Sequence, residues 1–344
     1  MKRMHIPTVS VYKLVILCFI TLIPAHAFKA QQPSSYPRMT NEAANDMART
    51  YSFYMAQAIA IQAFSKKFPE LAPEFTRAQA RFDMAFKASV ENIDAILTKE
   101  NPYWASEKPA LLENIRKLIA ANTISVEQAR VAINEFSSRA DGKIPSPFLE
   151  TLLIYHPTFL RIPSEEFLQG HTRSFDSAGH PKSKGINFKI SYPASWKAKE
   201  GERPNVIVKF LSENGRGLES VLLAVELPVS EREKITEADI QDLFSEGTLK
   251  LLLGGGARYI SSTRIKLDGL PGAMVRYERE GQRLDVVMQT RNLSFITLYK
   301  NKLIYIDCGV AALKENAQGL DARFKRLEPL FKLIANSLVV QSRW

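Results

Sequence analysis

The chain has 344 residues, of which 45% are hydrophobic and 24% charged, and it carries a net charge of +10. A chain of that length has room for two domains and buries enough apolar surface to stand without disulfide staples. Its cations are interleaved with acids (Arg276, Glu278, Arg279, Glu280; Lys197, Lys199, Glu200, Glu202), and no clustered basic stripe is present. That pattern excludes a nucleic-acid footprint.

The first residues have the three regions of a secretory signal in order. Lys2, Arg3 and Lys13 are positive, Leu14 to Ile23 is apolar, and Pro24 precedes Ala25-His26-Ala27. Cleavage is expected after Ala27, which gives a flexible N-terminus at 28–40 and a periplasmic or secreted mature chain. A membrane anchor needs about 20 apolar residues, and the polar Gln31 and Gln32 follow too soon. Cys18 follows Leu17 rather than a small residue, so a lipoprotein is not expected. With the leader removed, Cys308 is the remaining cysteine; it sits in an apolar run and reads as a buried small hydrophobe.

Residues 41–169 read as a helical domain. Met47, Tyr51, Tyr54, Ala58 and Ile61 recur at three- and four-residue steps, as do Phe75, Ala78, Phe82, Phe86, Val90, Ile93 and Leu97. Such spacing puts each set on one helix face. Pro69 and Pro73 separate the two helices, and Asn101-Pro102 ends the second. A third helix carries Leu111, Leu112, Ile115, Leu118 and Ile119. A fourth opens at Ser125 with a Ser125/Gln128 capping box, and a fifth follows Ser146-Pro147. The aromatic stripes read as a packing seam.

Residues 170–184 (GHTRSFDSAGHPKSK) are poor in apolar groups and read as a linker. The period then changes to two. Phe188, Ile190 and Tyr192 alternate with polar neighbours, followed by Val206, Val208 and Phe210, then Val221, Leu223 and Val225. A helix from Thr236 to Leu253 comes next, ended by Gly254-Gly255-Gly256 as a C-cap and turn. Five further strands are expected: Tyr259 to Leu267, Gly272 to Arg279, Gln282 to Thr290, Leu293 to Tyr299 and Leu303 to Val310. Glu280-Gly281 and Lys300-Asn301 serve as tight antiparallel turns. A closing helix runs from Asp321 to Leu338. The fold class is α+β, a helical bundle followed by an antiparallel sheet covered by helices.

The run Phe188-Lys189-Ile190-Ser191-Tyr192-Pro193-Ala194-Ser195-Trp196 has the form F-x-I-x-Y-P-x-x-W. It resembles the opening strand and turn of the PsbP-like (Mog/PsbP) α/β superfamily, and the resemblance extends over about 185–340. It implies an α/β/α sandwich at 185–344 and an accessory or protein-binding role, without a family active site. Phe188, Tyr192, Pro193 and Trp196 are the expected anchors of the motif.

Chemistry is sparse. His156, His171 and His180 are the histidines of the mature chain, and only Asp176 lies between the last two, too few ligands for zinc. No cofactor or metal is expected. The acids Glu165-Glu166 and Asp239 with Asp242 are expected to face water. The leading expectation is an exported non-enzymatic protein that binds another envelope protein. The rivals are an exported hydrolase using His156, His171, Glu165 and Glu166, and a small-molecule or lipid carrier with an apolar pocket of several hundred Å³.

Overall fold

The computed structural model describes residues 39–227, 235–283 and 286–344. The expected leader, with Cys18 and Ala27, and the segment 28–38 lie outside the described residues. The described chain divides into two compact units, 39–157 and 158–344. Among the described residues no helix is long and apolar enough to cross a membrane.

The first unit is helical: α1 (Asn41–Lys67), α2 (Ala72–Glu100), α3 (Trp104–Ala121), α4 (Val126–Ala140) and α5 (Phe148–Ile154). Thr40 starts α1 by accepting the Ala43 N–H at 3.1 Å. The capping box of Ser125 and Gln128 starts α4. The whole α2 stripe from Phe75 to Leu97 is buried. Helix α3 departs from expectation, because it buries Trp104 and Ile115 and leaves Leu118 open to water. Trp104 does the anchoring: its indole N–H donates to Asp94 at 2.8 Å, and its ring meets Tyr51 edge-on at 5.3 Å. Arg139 lies fully inside this unit. Its guanidinium donates to Gln57 at 2.9 Å, pairs with Glu135 and lies over the rings of Phe53 and Phe136. Those partners replace the water that a buried charge gives up.

The second unit begins within the short helix α6 (Pro157–Arg161), which is followed by α7 (Ser164–Leu168). The expected linker at 170–184 is instead partly ordered into β1 (Thr172–Asp176), which pairs antiparallel with β2 (Phe188–Pro193). Ser174 and Phe175 supply the alternation that the polar composition around them hid. Three strands follow: β3 (Lys197–Glu200), β4 (Val206–Leu211) and β5 (Glu219–Glu226). The expected helix at 236–253 is two helices, α8 (Glu237–Leu243) and α9 (Glu246–Leu252). Ser245 breaks the run by capping the N–H of Thr248.

The long strands are β6 (Ala257–Leu267), β7 (Leu270–Arg283), β8 (Val286–Tyr299) and β9 (Lys302–Leu313). The expected turn at Glu280-Gly281 is absent, and those residues pair with Gln289 and Met288 inside an unbroken β7–β8 ladder. The expected strand from Leu293 to Tyr299 and most of that from Gln282 to Thr290 are therefore one strand, β8, while Gln282 belongs to β7. The turn at Lys300-Asn301 is present, with φ of 47° and 57°, the left-handed pair that suits a two-residue hairpin. Helix α10 (Leu320–Asn336) and the short β10 (Val339–Val340) close the chain.

Seven strands form one antiparallel sheet in the order β3-β4-β5-β9-β8-β7-β6, and β1-β2-β10 form a second, small one. On the first face of the large sheet, Val221, Leu223, Ile304, Ile306, Cys308, Val310 and Phe295 pack with Phe324, Leu327, Phe331 and Ile334 of α10. Phe188, Ile190 and Trp196 complete that core. Burying each of these larger side chains contributes roughly 1.5–3 kcal/mol. On the second face, Phe244 and Leu249 of α8–α9 pack on Ala273, Val275, Ile296, Leu298 and Leu303. A helical N-terminal region and antiparallel sheets covered by helices are thus the architecture of the chain.

Candidate functional site

Glu166, expected to face water, is buried. Its Oε1 accepts the Ser195 N–H at 2.8 Å, and its Oε2 accepts the Ser195 hydroxyl at 2.7 Å. Burial pushes this carboxyl up to about 7, against the pull of both hydrogen bonds and of Arg173. The contact ties α7 to the turn that follows β2. In that turn and strand Phe188, Tyr192, Pro193 and Trp196 are all buried, and Tyr192 stacks on Phe210 at 4.3 Å. Ser195, one of the variable positions of the motif, is the residue that makes the connection.

The other residues of the proposed hydrolase site are dispersed in role. Glu165 is half-exposed and accepts from Gln169 at 3.3 Å. His171 meets Phe159 edge-on at 5.8 Å, and burial lowers its pKa. His156 belongs to the first unit. His180 bonds Glu200 at 3.0 Å, while Asp176 accepts the Ala178 N–H at 2.9 Å and pairs with Lys189. Among the described residues no three His, Cys, Asp or Glu side chains are grouped to hold a metal ion. Asp239 closes the capping box of α8 with Thr236. Cys308 is fully buried on the first face, and burial raises its thiol well above the usual range.

A polar group that sequence reading missed lies on the second face. Tyr277 of β7 places its hydroxyl 2.9 Å from both carboxylate oxygens of Asp307 on β9. Ser294, on the intervening β8, stands directly opposite Asp307 in the ladder. Burial pushes the Asp307 carboxyl up to about 6, opposed by Tyr277, Arg279 and Arg203. Arg279 in turn donates to the Leu253 carbonyl at 2.7 Å, at the end of α9. The signal available in sequence was weak: an acid at an alternating position inside an apolar strand.

Beyond this group the second face is uncovered by α8–α9. Leu211 of β4, Ser220, Leu222 and Ala224 of β5, and Gly309 and Ala311 of β9 are all half-buried. The residues that alternate with them, Val221, Leu223, Val225, Cys308 and Val310, are fully buried on the first face. A Cβ at Gly309 would meet Asn292 Oδ1 at 2.7 Å, so the Asn292 side chain fills the space above this glycine. One row of neighbours across the sheet reads Lys199, Lys209, Leu222, Asp307, Ser294, and the next reads Lys197, Leu211, Ser220, Gly309, Asn292. Three lysines thus border an apolar floor. Lys197 and Lys199 are exposed, Lys209 is half-exposed, and none of the three makes an ion pair with a described residue. Ala198, between the first two, packs on the core of the first face, which fixes their direction.

Two recesses lie elsewhere in the second unit. One of about 420 Å³ is walled by Val286, Val287, Leu313, Lys314 and Glu315. The other, of about 140 Å³, lies among Arg276, Glu278, Arg291, Asp321 and Phe324, whose charges are paired with one another or with Glu328.

No family model matches the chain, and no curated protein sequence matches it. Solved structures match about half of it. The solution structure of cyanobacterial PsbP from Synechocystis is 19% identical, over 49% of this chain and 92% of that one, at a TM-score of 0.32. LpqN of Mycobacterium tuberculosis, described as involved in cell envelope biogenesis, is 10% identical over 50% and 92% of the two chains, at 0.29. The Ran-binding protein Mog1p of Saccharomyces cerevisiae is 11% identical over 49% and 95%, at 0.33.

Proposed function

We propose that this is an exported, non-enzymatic accessory protein that works by binding another protein of the cell envelope. The observation that carries the reading is the half of the second face on which, among the described residues, no helix packs. A sheet hides its apolar side chains under a neighbouring layer, yet Leu211, Leu222, Ala224 and Ala311 are only half-buried beside the part of the face on which α8–α9 pack. An apolar sheet face without a packed layer is a candidate binding surface. The acids support the same reading, since Glu166 is committed to Ser195 and Asp307 to Tyr277. A hydrolase built on Glu166 would have to free a carboxylate whose two oxygens both hold the turn after β2. The resemblance carried by Phe188 to Trp196 also implies an accessory role.

Binding is tested with a photo-crosslinking residue, benzoylphenylalanine, in place of Leu222, and in a second variant in place of Met84, an exposed side chain of the first unit. Illumination in cells is expected to give a discrete protein adduct from position 222 and none from 84. Adducts equal at both positions overturn the reading. Export rests on the pattern from Lys2 to Ala27. Sequencing the protein released by osmotic shock is expected to begin at Phe28; a cytoplasmic chain that begins at Met1 overturns the address.

A further inference from the structure

We infer that the partner presents an acidic amphipathic helix, which lies on the floor between α8–α9 and the β3–β4 hairpin and completes the helical layer of the second face. The inference rests on the reading that this face binds protein, and it adds the chemistry of what binds.

The lysines carry the argument. Lys199 and Lys209 stand directly opposite each other across an antiparallel pair, and Lys197 is two residues along on the same face. Like charges in that position repel and cost stability. Lysines on an outer strand have a ready explanation, because they deter edge-to-edge association. That explanation covers Lys197 and Lys199 on β3, the outermost strand. It does not cover Lys209, which is on β4 with a neighbour on each side. None of the three cations is ion-paired with a described acid. The positive border is therefore complementary to an acidic partner, and desolvating it in a complex rewards carboxylates placed opposite.

The shape of the floor selects a helix. Leu211, Leu222, Ala224 and Ala311 belong to the sheet face rather than to its edge, so an added strand would not cover them. They lie one layer below α8–α9, a step of about 10 Å by the usual spacing of packed elements. A flat membrane surface resting on α8–α9 would not descend to Leu222. A helix fits the step, with apolar residues at three- and four-residue intervals on the floor and carboxylates on the flank toward Lys197, Lys199 and Lys209.

The test uses the full chain with benzoylphenylalanine in place of Leu222, crosslinked in cells, and the adducted segment mapped by mass spectrometry. The expected segment carries acids at helical spacing. The yield is expected to fall about tenfold with Lys209→Glu or Lys197→Glu and to hold with Lys325→Glu, a change on α10 at the other face. Lys209→Glu also places opposite charges across from each other at Lys199, so its melting temperature is expected to hold or rise, which separates lost binding from lost folding. A protein adduct that survives both lysine reversals overturns the acidic helix and leaves protein binding standing. An adduct on phospholipid, or binding to phosphatidylglycerol vesicles that Lys209→Glu abolishes, overturns it in favour of a membrane surface. An adduct joining two copies of this chain overturns it in favour of self-association. No adduct at all removes the binding reading on which it rests.

Discussion

Glu166 is held against Ser195 by hydrogen bonds of 2.8 and 2.7 Å in a place where its carboxyl has little water. The folded chain binds a proton there up to about pH 7, whereas an unhindered glutamate releases it near 4.5. A raised carboxylate pKa means that the folded state holds the extra proton, so this group favours folding at low pH and loses that contribution as pH rises from about 4.5 through about 7. Asp307, displaced upward to about 6, acts with the same sign. The expected outcome is a melting temperature that falls between pH 5 and pH 8. Glu166→Gln keeps an oxygen for the Ser195 N–H and offers an N–H to its hydroxyl, so the fall becomes smaller, by as much as about 3 kcal/mol in unfolding free energy. Calorimetry across that range checks it, and equal slopes in the two proteins refute it. The position of Glu166 was not legible in sequence, because Glu165-Glu166 read as a solvated pair. Consecutive residues of a helix point about 100° apart, so one of them faces water while the other turns inward.

The β7–β8 ladder is where element boundaries were hardest to read. Glu280-Gly281 has turn composition, and a break there would have given two short strands. Yet Tyr277, Arg279 and Gly281 stay on one face and pair in turn with Asn292, Thr290 and Met288. The ladder continues because cross-strand pairing outweighs the weak local preference of one glycine. Lys300-Asn301, by contrast, joins two strongly alternating runs and was legible. The glycine that matters to this ladder is Gly272, opposite Thr297. A Cβ there would stand 2.4 Å from the Ile296 carbonyl oxygen, a backbone atom that moves only if the strands part. Gly272→Ala is expected to cost about 2 kcal/mol or more. Urea denaturation measures the loss, and amide exchange at Ile296 and Thr297 is expected to quicken. A variant as stable as the parent would show that β7 and β8 can separate freely at this point.

At the scale of the whole chain, the change of period from helix to strand was legible, and so was the sheet with a closing helix. The boundary was not. Composition placed it in a linker at 170–184, but the compact units divide between Pro157 and Thr158, and residues 158–184 belong to the second. Three contacts within that unit explain why. Glu166 satisfies the Ser195 N–H, β1 covers one side of β2 from Thr172 to Asp176, and Phe167 and Phe175 pack against the main core. A fragment cut at the compositional boundary, 185–344, would keep the motif Phe188 to Trp196 and lose all three. It would leave a buried N–H without an acceptor and β2 with only β10 beside it, a loss of at least about 3 kcal/mol on hydrogen-bond and apolar terms. The fragment 158–344 keeps them. It is expected to unfold in one cooperative step, with a urea midpoint well above that of 185–344. Equal midpoints would mean that 158–184 contributes nothing to the unit and that the boundary lies where composition first put it.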